Sequence, residues 1–230
     1  MKPLAIDLFC GLGGWTEGFL AEGYEVIGFD IEQHVYGEHR YPAQLVLQDV
    51  RTLHGSQFKD AAIIVASSPC QEFSYRAMPW KRAKALGPPL LGMELFAQAA
   101  RIQREASEAA GRYIPMIQEN VRGAQKYVGR AQWHYGSYYL WGDVPALMPT
   151  TLGRKNTGGS WFAVAHNTTS GHGQNPDGRK NGGDWFGSGA DCSLQRRAGS
   201  KSSARRAASA RIAKIPFPLA QHIARVYYPA

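Results

Sequence analysis

The sequence predicts an α/β fold built on a mostly parallel, Rossmann-like sheet, and three of its features carry that prediction. Apolar runs of strand length recur through the first half, at Lys2 to Phe9, Tyr24 to Phe29, Leu45 to Leu47, Ala61 to Ala66 and Tyr113 to Gln118. The first of them runs directly into Cys10-Gly11-Leu12-Gly13-Gly14 and then Trp15 to Ala21. Strand, glycine turn and helix in that order bring backbone N–H groups to the carboxyl edge of a parallel sheet. Before the last run, Leu91 to Arg112 spaces apolar residues at Leu91, Leu95, Phe96, Ala99 and Ile102 with charges between them, an amphipathic helix that returns the chain for another parallel strand.

Each strand end carries a polar or glycine feature. The third glycine of the first turn comes too early for Gly-x-Gly-x-x-Gly, so a nicotinamide cofactor is not inferred. Asp30 ends the second strand about twenty residues past the glycines. It is placed either to accept from ribose hydroxyls or to cap a helical segment over Gln33 to His39. Asp49, at the end of the third strand, is either an acceptor for an adenine amine or the cap of the next turn. Together these ends point to one nucleoside pocket.

The fourth strand delivers Ser67-Ser68-Pro69-Cys70-Gln71-Glu72-Phe73-Ser74. Proline fixes its own backbone angle and restricts its predecessor, which holds the following thiol in place. Cys70 reads either as a nucleophile or as a small buried hydrophobe. Phe73 to Leu90 is basic and aperiodic, a long loop beside the site. The fifth strand ends at Glu119-Asn120-Val121. Because neighbouring strand ends meet at one sheet edge, the Cys70 thiol and the Glu119 carboxylate are expected to share a pocket; alternatively, Glu119 is an exposed acid opening a loop.

The 230-residue length suits one substantial core. Cys10, Cys70 and Cys192 are odd in number and widely spaced, which suggests neither a disulfide framework nor a zinc site, and His166 and His172 lack partners at ligand spacing. No metal is expected. The N-terminus has no signal-peptide pattern and no run is long enough to span a membrane, so a soluble, cytoplasmic protein in a reducing compartment is expected. The net charge of +8 sits beyond Asp191, in Arg196, Arg197, Lys201, Arg205, Arg206, Arg211, Lys214 and Arg225. Such a block fits either a polyanionic partner, nucleic acid above all, or a solvated face.

The ordered set Asp7-Leu8-Phe9-Cys10-Gly11-Leu12-Gly13-Gly14, Asp30, Asp49-Val50, Pro69-Cys70-Gln71, Leu95-Phe96 and Glu119-Asn120-Val121 resembles the DNA cytosine carbon-5 methyltransferases over about the first 125 residues. The resemblance implies S-adenosylmethionine as cofactor and double-stranded DNA as partner, near the nucleoid of a bacterium or a phage-infected cell, with no obligate protein partner. It implies a cofactor site at Phe9, Gly11, Leu12, Gly13, Asp30, Ile31, Asp49, Val50, Pro69 and Leu95. Cys70 would be the nucleophile that adds to carbon 6 of a flipped cytosine, Glu119 would engage the base and Asn120 would hold the local backbone. Gln71 and Ser74 would face the DNA.

Beyond Gly129 the pattern departs from that family. Tyr135 to Gly142 occupies the place of its Gln-x-Arg-x-Arg segment and holds no arginine, and the Gly-Asn pair before the closing helix is absent. The large target-recognition domain is replaced by Thr150 to Cys192, where Gly153 to Phe162 and Gly178 to Phe186 repeat one pattern. Arg154, Lys155, Arg179 and Lys180 of the repeat, with Lys201, Arg205 and Arg206 of the basic arm, are the expected DNA contacts; the other reading of the insert is a loose segment anchored by Trp161 and Trp185. Arg205 or Arg206 would supply the missing arginine. The expected organisation is a catalytic cofactor-binding domain over 1–149, a reduced recognition insert and arm over 150–210, and a helix over 211–230 that packs back, as in small members encoded by bacteriophages. A catalytically silent DNA-binding relative and a methyltransferase with a non-DNA substrate are the alternatives.

Overall fold

A computed structural model of the chain describes residues 2–74, 87–135, 138–148, 203, 206–207, 210 and 213–229. Seven strands form one sheet in the order β3-β2-β1-β4-β5-β7-β6. They are β1 (Leu4–Leu8), β2 (Glu25–Asp30), β3 (Gln44–Leu47), β4 (Ala61–Ser67), β5 (Met116–Asn120), β6 (Trp133–Tyr135) and β7 (Tyr138–Gly142). The first five run parallel, and β7 and β6 close the far edge antiparallel. The sheet is therefore the mostly parallel, Rossmann-like one expected. The edge hairpin is what stands where sequence comparison leaves the arginine segment missing.

Alternate side chains of the strands feed two cores, as the period of two requires. On one face Ala5, Val26, Val65, Ile117 and Leu140 pack against Trp15 and Phe19 of α1 (Gly14–Ala21) and Leu219, Ala220, Ile223 and Ala224 of the closing helix (Phe217–Val226). On the other, Ile6, Leu8, Phe29, Ile64 and Ala66 pack against Ala99, Ile102 and Ala106 of α2 (Leu90–Ala110). α2 stops at Gly111, whose φ of 63° is a left-handed conformation that glycine adopts without steric cost. The short α3 (Gln125–Val128) follows β5, so the closing helix is α4. The α1 and α4 backbones approach closely at Gly18, where any side chain would collide with Ala220 and Gln221.

Two local expectations fail. Residues 33–39 form no helix; Tyr36 and His39 instead pair across a turn at Gly37, whose φ is 63°. The fifth strand begins three residues later than expected, at Met116, because Tyr113 is exposed and Pro115 has no N–H to give a ladder. It therefore runs on through Glu119 and Asn120, which are buried within it rather than opening a loop.

Candidate active site

The strand order changes direction between β1 and β4, with β2 on one side of β1 and β4 on the other. In an open parallel sheet the crevice at the carboxyl ends of such a pair receives ligands. The glycine turn after β1, the Cys70 loop after β4 and the end of β5 all open at that edge.

The glycine turn is built for close approach. Gly11 and Gly13 have φ of 51° and 74°, and Phe9, at φ 57°, is the one described non-glycine residue in that region. A phenylalanine held there carries backbone strain that the surrounding packing must offset. Asp30 braces the turn by accepting from the Gly11 N–H at 2.9 Å, while its other oxygen takes the Glu32 N–H at 3.2 Å and lies 3.7 Å from His34 Nε2. Although burial opposes ionisation of Asp30, these partners outweigh it and hold the carboxyl below its ordinary value, with His34 raised in return. Asp30 thus caps the glycine turn, and the helix it was expected to cap does not exist.

Asp7 lies on β1 behind the turn and was missed from sequence, hidden in a run that reads as a buried strand. Its Oδ2 accepts from the Thr16 hydroxyl at 2.6 Å, and Thr16 also meets the Tyr41 hydroxyl at 2.6 Å. Its Oδ1 is buried without a partner. Burial pushes this carboxyl up to about 8. An acid in the middle of a buried apolar strand was the signal that could have found it, since such a charge is retained only where something pairs with it.

The remaining cofactor expectations are spread along the same edge. Leu12 is buried, Ile31 is 74% exposed, Pro69 is exposed and Leu95 is half-buried. Val50 is in the core beside Phe29, Leu53 and Phe58. Asp49 is held by Arg51, whose Nε lies 3.1 Å and 3.0 Å from its two oxygens and whose backbone N–H is capped at 2.9 Å. The Arg51 guanidinium holds the Asp49 carboxyl below its ordinary value.

Cys70 is fixed from both sides. Behind it, the Asn120 amide donates to the carbonyl and the hydroxyl of Ser68, and the Asn120 oxygen takes the Val121 N–H at 2.8 Å. Ahead of it, Phe73 is buried with Ala124, Tyr139 and Trp141, and Glu72 takes the Gly92 N–H at 2.6 Å in the first turn of α2. Burial, and then the nearby Glu119 charge, push the Cys70 thiol up to about 11. Burial pushes the Glu119 carboxyl up to about 8, against a lowering hydrogen bond from Ser67. Thiol and carboxyl therefore lie near enough for their charges to interact, at the carboxyl ends of the neighbouring strands β4 and β5, and both are in their neutral forms at pH 7.

Gln71 is exposed and Ser74 partly buried on the loop beyond Cys70, and Arg206 is exposed. Arg154, Lys155, Arg179, Lys180, Lys201 and Arg205, with the insert that carries most of them, lie outside the described residues. Among the described residues no helix is long and apolar enough to cross a membrane.

A family model described as C-5 cytosine-specific DNA methylase matches residues 4–129. Among solved structures, a DNA modification methyltransferase encoded within an Escherichia coli prophage is 25% identical, with 56% of this chain and 35% of that one covered and a TM-score of 0.39. The Entamoeba histolytica methyltransferase EhMeth is 16% identical over 56% of this chain and 41% of its own, with a TM-score of 0.37. The Schizosaccharomyces pombe Dnmt2 methyltransferase is 15% identical over 56% and 37%, with a TM-score of 0.33. The chain thus spans less than half the length of these structures. No curated protein matches it.

Proposed function

Since the chain belongs to the C-5 cytosine-specific DNA methylase family, we propose that it methylates carbon 5 of cytosine in duplex DNA, through a covalent adduct between Cys70 and a base flipped out of the stack. The observation that carries this reading is that Cys70, just past the end of β4, and Glu119, near the end of the neighbouring strand β5, feel each other's charge at the sheet edge that also bears the glycine turn.

S-adenosylmethionine fits the chain's own residues as methyl donor. The unpartnered Asp7 oxygen behind the turn suits a cationic group, and the donor carries an ammonium as well as a sulfonium. Phe9, Gly11, Leu12 and Gly13 would line it, and Asp30 would hold the turn and accept from the ribose. Its contribution is an electrophilic methyl group.

The rest is work for the protein. Carbon 5 of cytosine is a weak nucleophile until Cys70, its thiol proton released to water, adds at carbon 6 as the thiolate and turns the ring into an enamine. Glu119, neutral at pH 7, delivers its proton to ring nitrogen 3 during that addition and so offsets the negative charge developing there. Asn120 keeps the Ser68–Cys70 backbone in register with Glu119. Once carbon 5 has taken the methyl group, a base removes the carbon-5 proton, the Cys70 thiolate is expelled and nitrogen 3 returns its proton to Glu119, which restores the aromatic ring and the enzyme. Because the target atoms lie inside the duplex, the base must leave the stack first.

Duplex DNA containing 5-fluorocytosine tests the reading, because fluorine blocks the last step. With labelled S-adenosylmethionine the native chain should give a denaturation-resistant protein–DNA adduct that Cys70→Ser abolishes. Cofactor binding with no adduct on varied DNA would instead mark a silent relative.

A further inference from the structure

The mechanism above makes no use of Ser67, although its hydroxyl stands between two functional elements. Trp15 of α1 is 1% exposed and directs its indole N–H at Ser67 Oγ, 3.0 Å away at the end of β4. Ser67 is the registered partner of Glu119 across the β4–β5 ladder, so the two side chains stand next to each other on one face of the sheet, where the hydroxyl favours the ionised carboxyl. An indole N–H can only donate, whereas a hydroxyl has one hydrogen to give and lone pairs to accept with. By occupying a lone pair, Trp15 commits the hydroxyl to acceptance on one side and leaves its hydrogen for the carboxyl on the other. A hydroxyl polarised in this way is also the better donor.

We propose that Ser67, oriented by the Trp15 indole, is a positioning residue that fixes the rotation of the Glu119 carboxyl. One carboxyl oxygen is taken by the Ser67 hydrogen, so the proton that Glu119 carries resides on the other oxygen, the one left for the substrate. Glu119 retains 9% of its surface, so its position is set almost wholly by its neighbours. The inference rests on the proposed role of Glu119 toward the base, but the Trp15–Ser67–Glu119 chain can be tested without it.

Several groups face Glu119 and belong in the pH argument. Cys70 reaches it from the loop after β4 and Tyr138 from β7, and each is raised by burial first and by Glu119 second. The Tyr138 hydroxyl is held on the Lys214 carbonyl at 3.2 Å. The Lys214 ammonium, from the segment before α4, is paired with Glu17 of α1 at 2.5 Å. Ser67 is the one side chain among these that favours the ionised form of Glu119.

The test uses the full chain labelled with carboxyl-¹³C glutamate, with the Glu119 resonance assigned from its loss in Glu119→Gln. The expected results are a titration midpoint near 8 in the native chain and a rise of about one pH unit in Ser67→Ala, which deletes a hydrogen bond to the charged form. Ser67→Thr should restore the native midpoint. Trp15→Phe, which keeps the ring and removes only the N–H, should move it upward by less, and it carries the test if Ser67→Ala does not fold. In single-turnover methylation of bound duplex DNA, Ser67→Ala should be about tenfold slower, with its alkaline limb displaced in the same direction and its cofactor affinity unchanged. A Glu119 midpoint that is unaltered in both Ser67→Ala and Trp15→Phe overturns the proposal. If the native chain methylates nothing, the proposed activity fails, and the resonance still decides whether Ser67 governs Glu119.

Discussion

The Asn120 side-chain amide holds Ser68 at two points, donating to its carbonyl and to its hydroxyl at 3.0 Å each. All three groups are buried, and the bond spans from the end of β5 to the residue two before Cys70. Asn120→Ala should therefore leave two Ser68 acceptors and the Val121 N–H without this partner. The expected loss is about 2–4 kcal/mol of stability in urea denaturation, with adduct formation on fluorinated DNA slowed more than cofactor binding. Equal loss of both would mean that Asn120 serves the fold alone.

Cys70 and Glu119 should also be coupled chemically. Part of what raises the thiol is the Glu119 charge, which is present only above about pH 8. Glu119→Gln removes that charge, lowers the thiol pKa and increases the thiolate fraction. Alkylation of Cys70 by iodoacetamide at about pH 9 should then be several-fold faster than in the native chain. An unchanged rate would separate the two groups.

Asp7 makes stability depend on pH. Its carboxyl ionises near 3.8 when unfolded and at about 8 when folded. Between those values the unfolded chain has released a proton that the folded chain still binds, so stability falls as pH rises. Glu119, raised from 4.5 to about 8, acts in the same direction over nearly the same window. Urea midpoints should therefore decline from about pH 4 to pH 8, and Asp7→Asn should flatten part of that decline. A rise over this interval would contradict both burials.

Gly18 sets the distance between α1 and α4. Gly18→Ala would drive a methyl group into the Ala220–Gln221 backbone, which no side-chain rotation can relieve. The expected cost is about 1–3 kcal/mol by urea denaturation. The Tyr24 hydroxyl, which donates to the Ala224 carbonyl at 3.0 Å, would move with the helix, so tyrosine fluorescence should report the displacement.

Sequence alone reached the five parallel strands and the glycine turn, because apolar runs and strand-end punctuation are local signals. It did not reach features that depend on which strand lies beside which. Asp7 hid inside an apolar run, and its meaning comes from Thr16 and Tyr41, which only the fold brings to it. Asp49 caps the next turn through the Arg51 N–H, one of its two readings from sequence, whereas its ion pair with the Arg51 guanidinium went unread because side-chain direction at a turn is not encoded in spacing. Of the two readings of Asp30, the cap of a helix over 33–39 fails, because Asp30 turns toward Gly11 instead. The β6–β7 hairpin was also unread, because its antiparallel pairing with β5 is non-local.

The chain passes Val144 and Met148 and later returns at Ile215 and Leu219, and all four pack in one apolar cluster. None of the seven described strands comes from the positions between Met148 and Ile215. Since the entropic cost of joining two points of a chain grows only with the logarithm of the number of residues between them, this cluster would close over a longer or a shorter stretch of chain at little extra cost.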